Sequence, residues 1–257
     1  MKKKFFCFYF YSMFFACFSQ NNSSNSKIKK IIETQTYEVT SSDNKRYVYT
    51  SEINEYNYNI KGQEISNLAK TYYNKKPYRT TQTNYFYNKE DQIDYTDNFN
   101  LKDSIRYKVN YFYTSNKLVK KSAYYIINEK EINYNEKYSY DKDGKLTKSN
   151  YLYLEKYLDS YIGQRDLNAL FTYNKKEQLI ESDWTKSDSS YKYNRIVHFR
   201  NRKGRITKEK EYDKNGNLIK TNIYKYIFDS KNNWTILKCY EKKSLVKSIY
   251  REIEYFD

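Results

Sequence analysis

The sequence predicts an all-β protein, an antiparallel meander of repeated hairpins curled or sandwiched over a tyrosine-rich face. Three observations carry this. The stretch Tyr138–Ser149, Tyr-Ser-Tyr-Asp-Lys-Asp-Gly-Lys-Leu-Thr-Lys-Ser, returns as Tyr212-Asp-Lys-Asn-Gly-Asn-Leu-Ile-Lys-Thr221. Aromatic anchors recur roughly every 26 to 33 residues, at Tyr58, Tyr87, Tyr113, Tyr140, Tyr173, Phe199 and Phe228, with Tyr212 as an extra anchor. Four of the five glycines (Gly62, Gly144, Gly204 and Gly216) fall in the turn slot that follows an anchor.

The physics of one copy explains the pattern. Side chains on a strand alternate with period two, so Tyr138 and Tyr140 share a face. Asp-x-x-Gly then reads as a turn. The Asp side chain accepts local backbone hydrogen bonds and Gly takes a left-handed position. Leu146 resumes the apolar face on the return strand, as Ile65, Ile93, Leu118, Leu179, Ile206 and Leu218 do elsewhere. Where Gly is missing, Asn116 and Asn232-Asn233 stand at or beside its slot, and Asn tolerates the same geometry.

Taken in order, ordered structure begins within 27–37, and 47–58 is strand-like. Residues 65–73 carry apolar side chains at helical spacing, but the array favours a strand there. The clearest strand is 105–113, where Ile105, Tyr107, Val109, Tyr111 and Tyr113 share a face. Ile132, Tyr134, Tyr138 and Tyr140 repeat it, with Glu136 as an intruder. The longest interval, between Tyr140 and Tyr173, holds Leu154, Tyr157, Leu158, Tyr161 and Ile162, either a short helical excursion or a longer hairpin. Strands over 191–199, 205–213, 217–229, 234–241 and 245–255 complete the array. A sheet with one apolar face must curl, pair with another sheet or be capped.

Tyr-Asp-x-x-Gly-x-Leu, as it stands at Tyr140–Leu146 and Tyr212–Leu218, resembles the YD repeat of bacterial RHS-type proteins. The closing stretch from Phe228-Asp to Tyr255-Phe-Asp257 is similar to the ends of small exported YD-repeat proteins. The resemblance spans about residues 47–257. It implies a β-rich exported module and brings no catalytic residue.

Three segments are expected: a signal peptide over 1–19, a flexible tether and lead-in over 20–46, and the array over 47–257. Lys2–Lys4 precede the apolar run Phe5–Phe18, which is short for a membrane span and fits a secretory leader. Two processing routes are open. Cleavage after Ser19 leaves Gln20 at the N-terminus. Alternatively Phe14-Phe15-Ala16-Cys17 is similar to a lipobox, with Cys17 acylated and the protein held to the membrane by that lipid. Either route exports the chain to the periplasm, the outer-membrane surface or the outside.

The 257 residues carry a formal charge of +16, with 34 Tyr and 14 Phe. So many aromatics argue against disorder. The charge has two readings: codon bias toward Lys, Asn, Tyr and Ile, or contact with a polyanion. One histidine, His198, alternates with Val197 and Phe199 and is expected on the polar face, without a nucleophile motif. One His and one mature cysteine, Cys239, cannot build a tetrahedral zinc site. No cofactor motif occurs. The expected function is a non-enzymatic envelope or surface interaction module. The alternatives are a carbohydrate or polyanion binder, a carboxylate-dependent hydrolase, and a component of a toxin or immunity system. Candidate ligand contacts are Trp184 and Trp234, as sugar-stacking rings, and Arg200, Arg202, Lys203 and Arg205 within the densest basic run. The binding alternative expects those rings on the solvent face.

Overall fold

The computed structural model describes residues 27–40, 46–73, 76–101, 105–127, 130–157, 160–176, 178–186 and 192–256. The proposed leader, Cys17 and residues 20–26 and 41–45 of the tether and lead-in lie outside them. Sixteen strands follow in chain order. The first eight are β1 (Ile28–Thr40), β2 (Arg46–Tyr58), β3 (Glu64–Tyr73), β4 (Lys76–Tyr87), β5 (Ile93–Asn100), β6 (Ile105–Thr114), β7 (Lys117–Ile127) and β8 (Lys130–Tyr140). The second eight are β9 (Leu146–Tyr157), β10 (Ser160–Tyr173), β11 (Leu179–Lys186), β12 (Lys192–Arg200), β13 (Ile206–Tyr212), β14 (Leu218–Phe228), β15 (Trp234–Glu241) and β16 (Ser244–Tyr255). Each pairs antiparallel with its chain neighbours, and β1 pairs with β16 from Ile28↔Tyr255 to Tyr37↔Lys247. The sheet is a closed up-and-down barrel.

The antiparallel meander is as expected, but the curled or sandwiched ending is not. The sheet disposes of its edges by joining them, which leaves no strand with an unpaired row of backbone groups. Closure uses β1, so the array starts at Ile28 rather than at residue 47. The YD-repeat reading fails at the same point, because the anchors mark the hairpins of one closed barrel. Each interval is one hairpin, two strands long. The helically spaced stretches at 65–73 and 154–162 lie in β3 and in the β9–β10 hairpin. Pairing on both sides of each strand overrides the local period.

Turn chemistry follows the sequence closely. Both termini and the hairpins β2–β3, β4–β5, β8–β9, β10–β11, β12–β13 and β14–β15 share one rim, here called proximal. These turns start at Asn59, Asn88, Asp141, Asn174, Asn201 and Asp229, and Asp213 starts an identical turn on the distal rim. In each, the side-chain Oδ1 accepts from the backbone N–H groups two and four residues on, at 2.8–3.1 Å. In the turns whose fourth residue is described, that residue is left-handed, for example Gly144 at φ 86°. A Cβ there would also lie 2.8 Å from Lys117 Nζ.

The β15–β16 turn breaks this rule. Lys242 and Lys243 take φ of 47° and 72°, an unfavourable conformation for residues with a Cβ. Two-residue hairpin turns of this hand favour Asn-Gly. The double change Lys242→Asn, Lys243→Gly is expected to raise stability by about 1 kcal/mol, read as a higher melting midpoint. An unchanged or lower midpoint contradicts it.

Candidate functional site

The wall facing the barrel axis is identified by interactions that skip a strand, which only a concave face permits. Tyr58 on β2 feels Arg251 on β16 across β1. Tyr85 on β4 interacts with Tyr56 on β2 and Tyr111 on β6. Lys247 on β16 interacts with Glu52 on β2 and Glu209 on β13. The tyrosine face of the sequence is therefore the inner wall. Burial pushes the hydroxyls of Tyr56, Tyr58, Tyr85, Tyr134 and Tyr138 far above their ordinary pKa.

Anchors such as Tyr87 and Tyr140, and Tyr226 two residues before the anchor Phe228, act as latches along the proximal rim. The Tyr87 hydroxyl donates to the Glu64 carbonyl at 2.7 Å, and Tyr140 donates to the Leu118 carbonyl at 2.7 Å. Tyr226 donates to the Ile206 carbonyl at 2.9 Å, and Arg200 Nε donates to the Leu179 carbonyl at 3.0 Å. Each acceptor sits near the proximal start of the neighbouring strand. The latch explains why tyrosine recurs where phenylalanine would fill the same space. It also corrects one anchor. The slot before the β12–β13 turn belongs to Arg200, and Phe199 faces out, 38 % exposed. His198 consequently faces in, contrary to expectation, and is buried, with Nδ1 2.8 Å from Glu209 Oε1. Counting back from the Asn201 turn, instead of from the aromatic, finds this register.

Among the described residues the inner wall holds both buried side chains, such as Ile31, Ile132, Phe171 and Leu237, and partly exposed tyrosines. A barrel of this strand number encloses more space than its inward side chains fill.

One corner of this wall gathers cationic and aromatic groups. Tyr226 stacks with Phe228, ring centres 6.1 Å apart, and meets Trp234 edge-on at 6.3 Å. Arg200, Arg205 and Arg251 all lie within electrostatic reach of the Tyr226 hydroxyl, whose pKa burial lifts to about 12. Arg251 lies 3.4 Å over the Trp234 ring and donates from Nε to Glu33 at 2.6 Å. Arg205 lies 4.1 Å over the Phe228 ring. Arg200 also donates to the Gly204 carbonyl at 2.7 Å, and desolvation pulls its pKa down. Side chains in such a corner offer ring faces to stack on and guanidinium forks for carboxylate or phosphate.

Of the sequence candidates, the structure brings Trp234, Arg200 and Arg205 together. Trp184 also lies on the inner wall, against Phe171 at 6.3 Å, but apart from this corner. Arg202 and Lys203 stay exposed at the turn tip. The dense basic run is thus split between tip, inner wall and outer wall, because a strand sends alternate residues to opposite faces. Sequence reasoning missed Arg251 and Tyr226, which come from β16 and β14. The only signal was their shared inward parity with Trp234.

Glu64 is a second inner-wall feature. Its carboxyl is hydrogen-bonded to Tyr85 and Asn67, yet burial lifts its pKa to about 7 from an ordinary 4.5. The proton is therefore held more tightly in the folded state. Glu64's favourable contribution is complete below about pH 4.5 and fades as pH rises through 7. Between pH 5 and 8 the wild type is expected to lose on the order of 2 kcal/mol from this group, and Glu64→Gln to lose none of it. Denaturant titrations at the two pH values test this; equal pH slopes for the two proteins would reject it.

Among the described residues no cluster of three or more His, Cys, Asp or Glu could hold a metal ion. No protein-family model and no curated sequence matches the chain. Solved structures do. A porin-like protein from Bacteroides uniformis superposes with a TM-score of 0.53 at 11 % identity, covering 88 % of this chain and 98 % of that one. A porin-like protein from Bacteroides vulgatus superposes with a TM-score of 0.50 at 10 % identity, covering 90 % and 99 %. At such identities the likeness is one of fold. It replaces the YD-repeat resemblance: this chain is similar in architecture to porin-like barrels.

Proposed function

We propose that the protein is an exported, non-enzymatic envelope barrel that binds an acidic glycan at the arginine and aromatic corner of its inner wall. The observation that carries this is the convergence of Arg200, Arg205 and Arg251 around Tyr226 beside Trp234. Aromatic faces suit the apolar faces of sugar rings, and the guanidinium groups suit carboxylate, sulfate or phosphate substituents. The structural likeness to porin-like proteins supports an envelope setting.

A channel is the competing reading, favoured by what those relatives are called. The outer wall argues against it. A membrane-spanning barrel turns an apolar band to lipid and polar groups inward. Here cross-strand register puts Lys70, Asp97, Lys108, Lys137, Lys148, Lys210, Lys225 and Lys238 outward, around much of the circumference. Each Lys or Arg on a lipid face costs about 2–4 kcal/mol at the midplane.

Both tryptophans lie on the inner wall, so their fluorescence reports on ligands there. Titration with uronic-acid oligosaccharides is expected to shift the emission, and Trp234→Phe or Arg205→Ala to weaken binding at least tenfold. Neutral oligosaccharides should leave it unchanged. Indifference to acidic sugars, or stepwise conductance in planar bilayers, would sink the reading.

A further inference from the structure

We infer that the outer face of β13–β15, with Tyr250 of β16, docks on the surface of an anionic lipid bilayer. Cross-strand register places Lys208, Lys210, Ile223, Lys225, Ile227, Ile236, Lys238 and Tyr240 outward on these three strands, and Ile219 stands in the β-bulge between Leu218 and Lys220. The aliphatics on this wall are open to solvent: Ile219 is 53 % exposed, Ile223 44 % and Ile227 49 %. They stand on one strand, β14, with Lys225 between Ile223 and Ile227.

The charges on this face are of one sign. Glu209, Glu211 and Glu241, the carboxylates of β13 and β15, pair in register with inward residues. Among the described residues Lys208, Lys210, Lys225 and Lys238 make no ion pair. Lys208 lies 4.4 Å over the Phe199 ring and Lys225 5.1 Å over the Tyr240 ring. Lys225 and Lys238 stand directly opposite each other, an arrangement that like charges destabilise unless a counter-charge arrives. Some cations elsewhere on the outer wall are neutralised, Arg106 by Asp97, Lys30 by Glu55 at 2.9 Å and Arg195 by Glu181 at 3.8 Å, although Lys120 and Lys137 stand opposite each other as Lys225 and Lys238 do.

Exposed isoleucines interleaved with unpaired lysines match an interface with an anionic head-group layer above and acyl chains below. A soluble polyanion would use the lysines and leave the isoleucines idle. The place where the tether joins the barrel fits as well. It enters at Ile28 of β1, whose partner is β16, next to this face. One lipid chain alone holds a protein only reversibly, and a basic surface supplies the second attachment. The face would serve that role if Cys17 is acylated, and acts by itself if it is not.

The test uses the chain from Gln20, which contains all sixteen strands, prepared without acylation. It is mixed with vesicles of phosphatidylcholine, with or without phosphatidylglycerol. Binding is expected to require phosphatidylglycerol. Lys210→Glu, Lys225→Glu and Lys238→Glu together should weaken it at least tenfold. Ile223→Ser with Ile227→Ser should weaken it severalfold and make the remainder more salt-sensitive. A second charge-swapped triple on the other side of the barrel, Lys70→Glu, Lys108→Glu and Lys137→Glu, should leave binding within twofold. Circular dichroism confirms that each variant keeps its sheet. Equal losses from the two triples would reduce the effect to net charge and overturn the inference. So would serine variants that bind as wild type while heparin competes fully, the behaviour of a polyanion site.

Discussion

Arg251→Met is expected to lower stability by about 3 kcal/mol and the melting midpoint by roughly 6–12 °C. Arg251 and Glu33 are the inward pair across the seam where β16 meets β1. Their side chains are 15 % and 16 % exposed. The carboxylate left behind would be largely desolvated, with no other cation among the described residues bonded to it. The ring of Trp234, 3.4 Å beneath the guanidinium, would lose its cover too. The double variant Glu33→Leu, Arg251→Met removes both charges and should recover most of the loss, since a buried pair replaced by apolar groups is often close to neutral. Hydrogen exchange should place the weakening in β1 and β16 first. A double variant as unstable as the single one would show that the pair itself, rather than the orphaned charge, matters.

Glu209→Ala is expected to cost as much or more, about 3–5 kcal/mol. Glu209 is 4 % exposed and joins three strands. One oxygen faces His198 Nδ1 on β12 at 2.8 Å, and the other accepts a short hydrogen bond from the Tyr224 hydroxyl on β14. Alanine would take the carboxylate from a buried imidazole and remove one hydrogen bond of the Tyr224 hydroxyl, and an unsatisfied buried polar group carries its full desolvation penalty. Glu209→Gln keeps the shape and part of the bonding and should cost about 1–2 kcal/mol. Urea denaturation separates the two. Equal midpoints for the Ala and Gln variants would mean that the network contributes little.

Much of the barrel was legible locally. The Asx turns closed by a left-handed fourth residue are local chemistry, and each seen in the sequence at Gly62, Gly144, Gly204 and Gly216 forms as read. The strand at 105–113 alternates as its side chains dictate. Misreadings came where register depends on something other than the aromatic pattern. Phe199 looked like an anchor, but the slot is the residue directly before the turn, as Tyr58, Tyr87 and Tyr140 are elsewhere, so Arg200 fills it before Asn201 and His198 turns inward. The resemblance to YD repeats failed for a related reason. A Tyr-Asp-x-x-Gly-x-Leu hairpin is a local solution available to any antiparallel meander, so it does not specify what the meander builds.

The candidate site was partly legible. Trp234, Arg200 and Arg205 were singled out by residue type, but the solvent-face placement that only the binding alternative expects does not hold for Trp184 and Trp234, whose strands turn them to the concave inner wall. Arg251 and Tyr226 join them only after β12, β14 and β16 curve toward one another.

By itself, then, the sequence determined the all-β class, the hairpin period, the turn geometry and the faces that are aromatic or cationic. These follow from side-chain alternation and local hydrogen bonding, which act over a few residues. The tertiary structure decided that the meander closes, that its aromatic face looks inward, and that three arginines come within electrostatic reach of one tyrosine. Closure depends on β1 finding β16 more than two hundred residues away, a long-range pairing that no local pattern encodes.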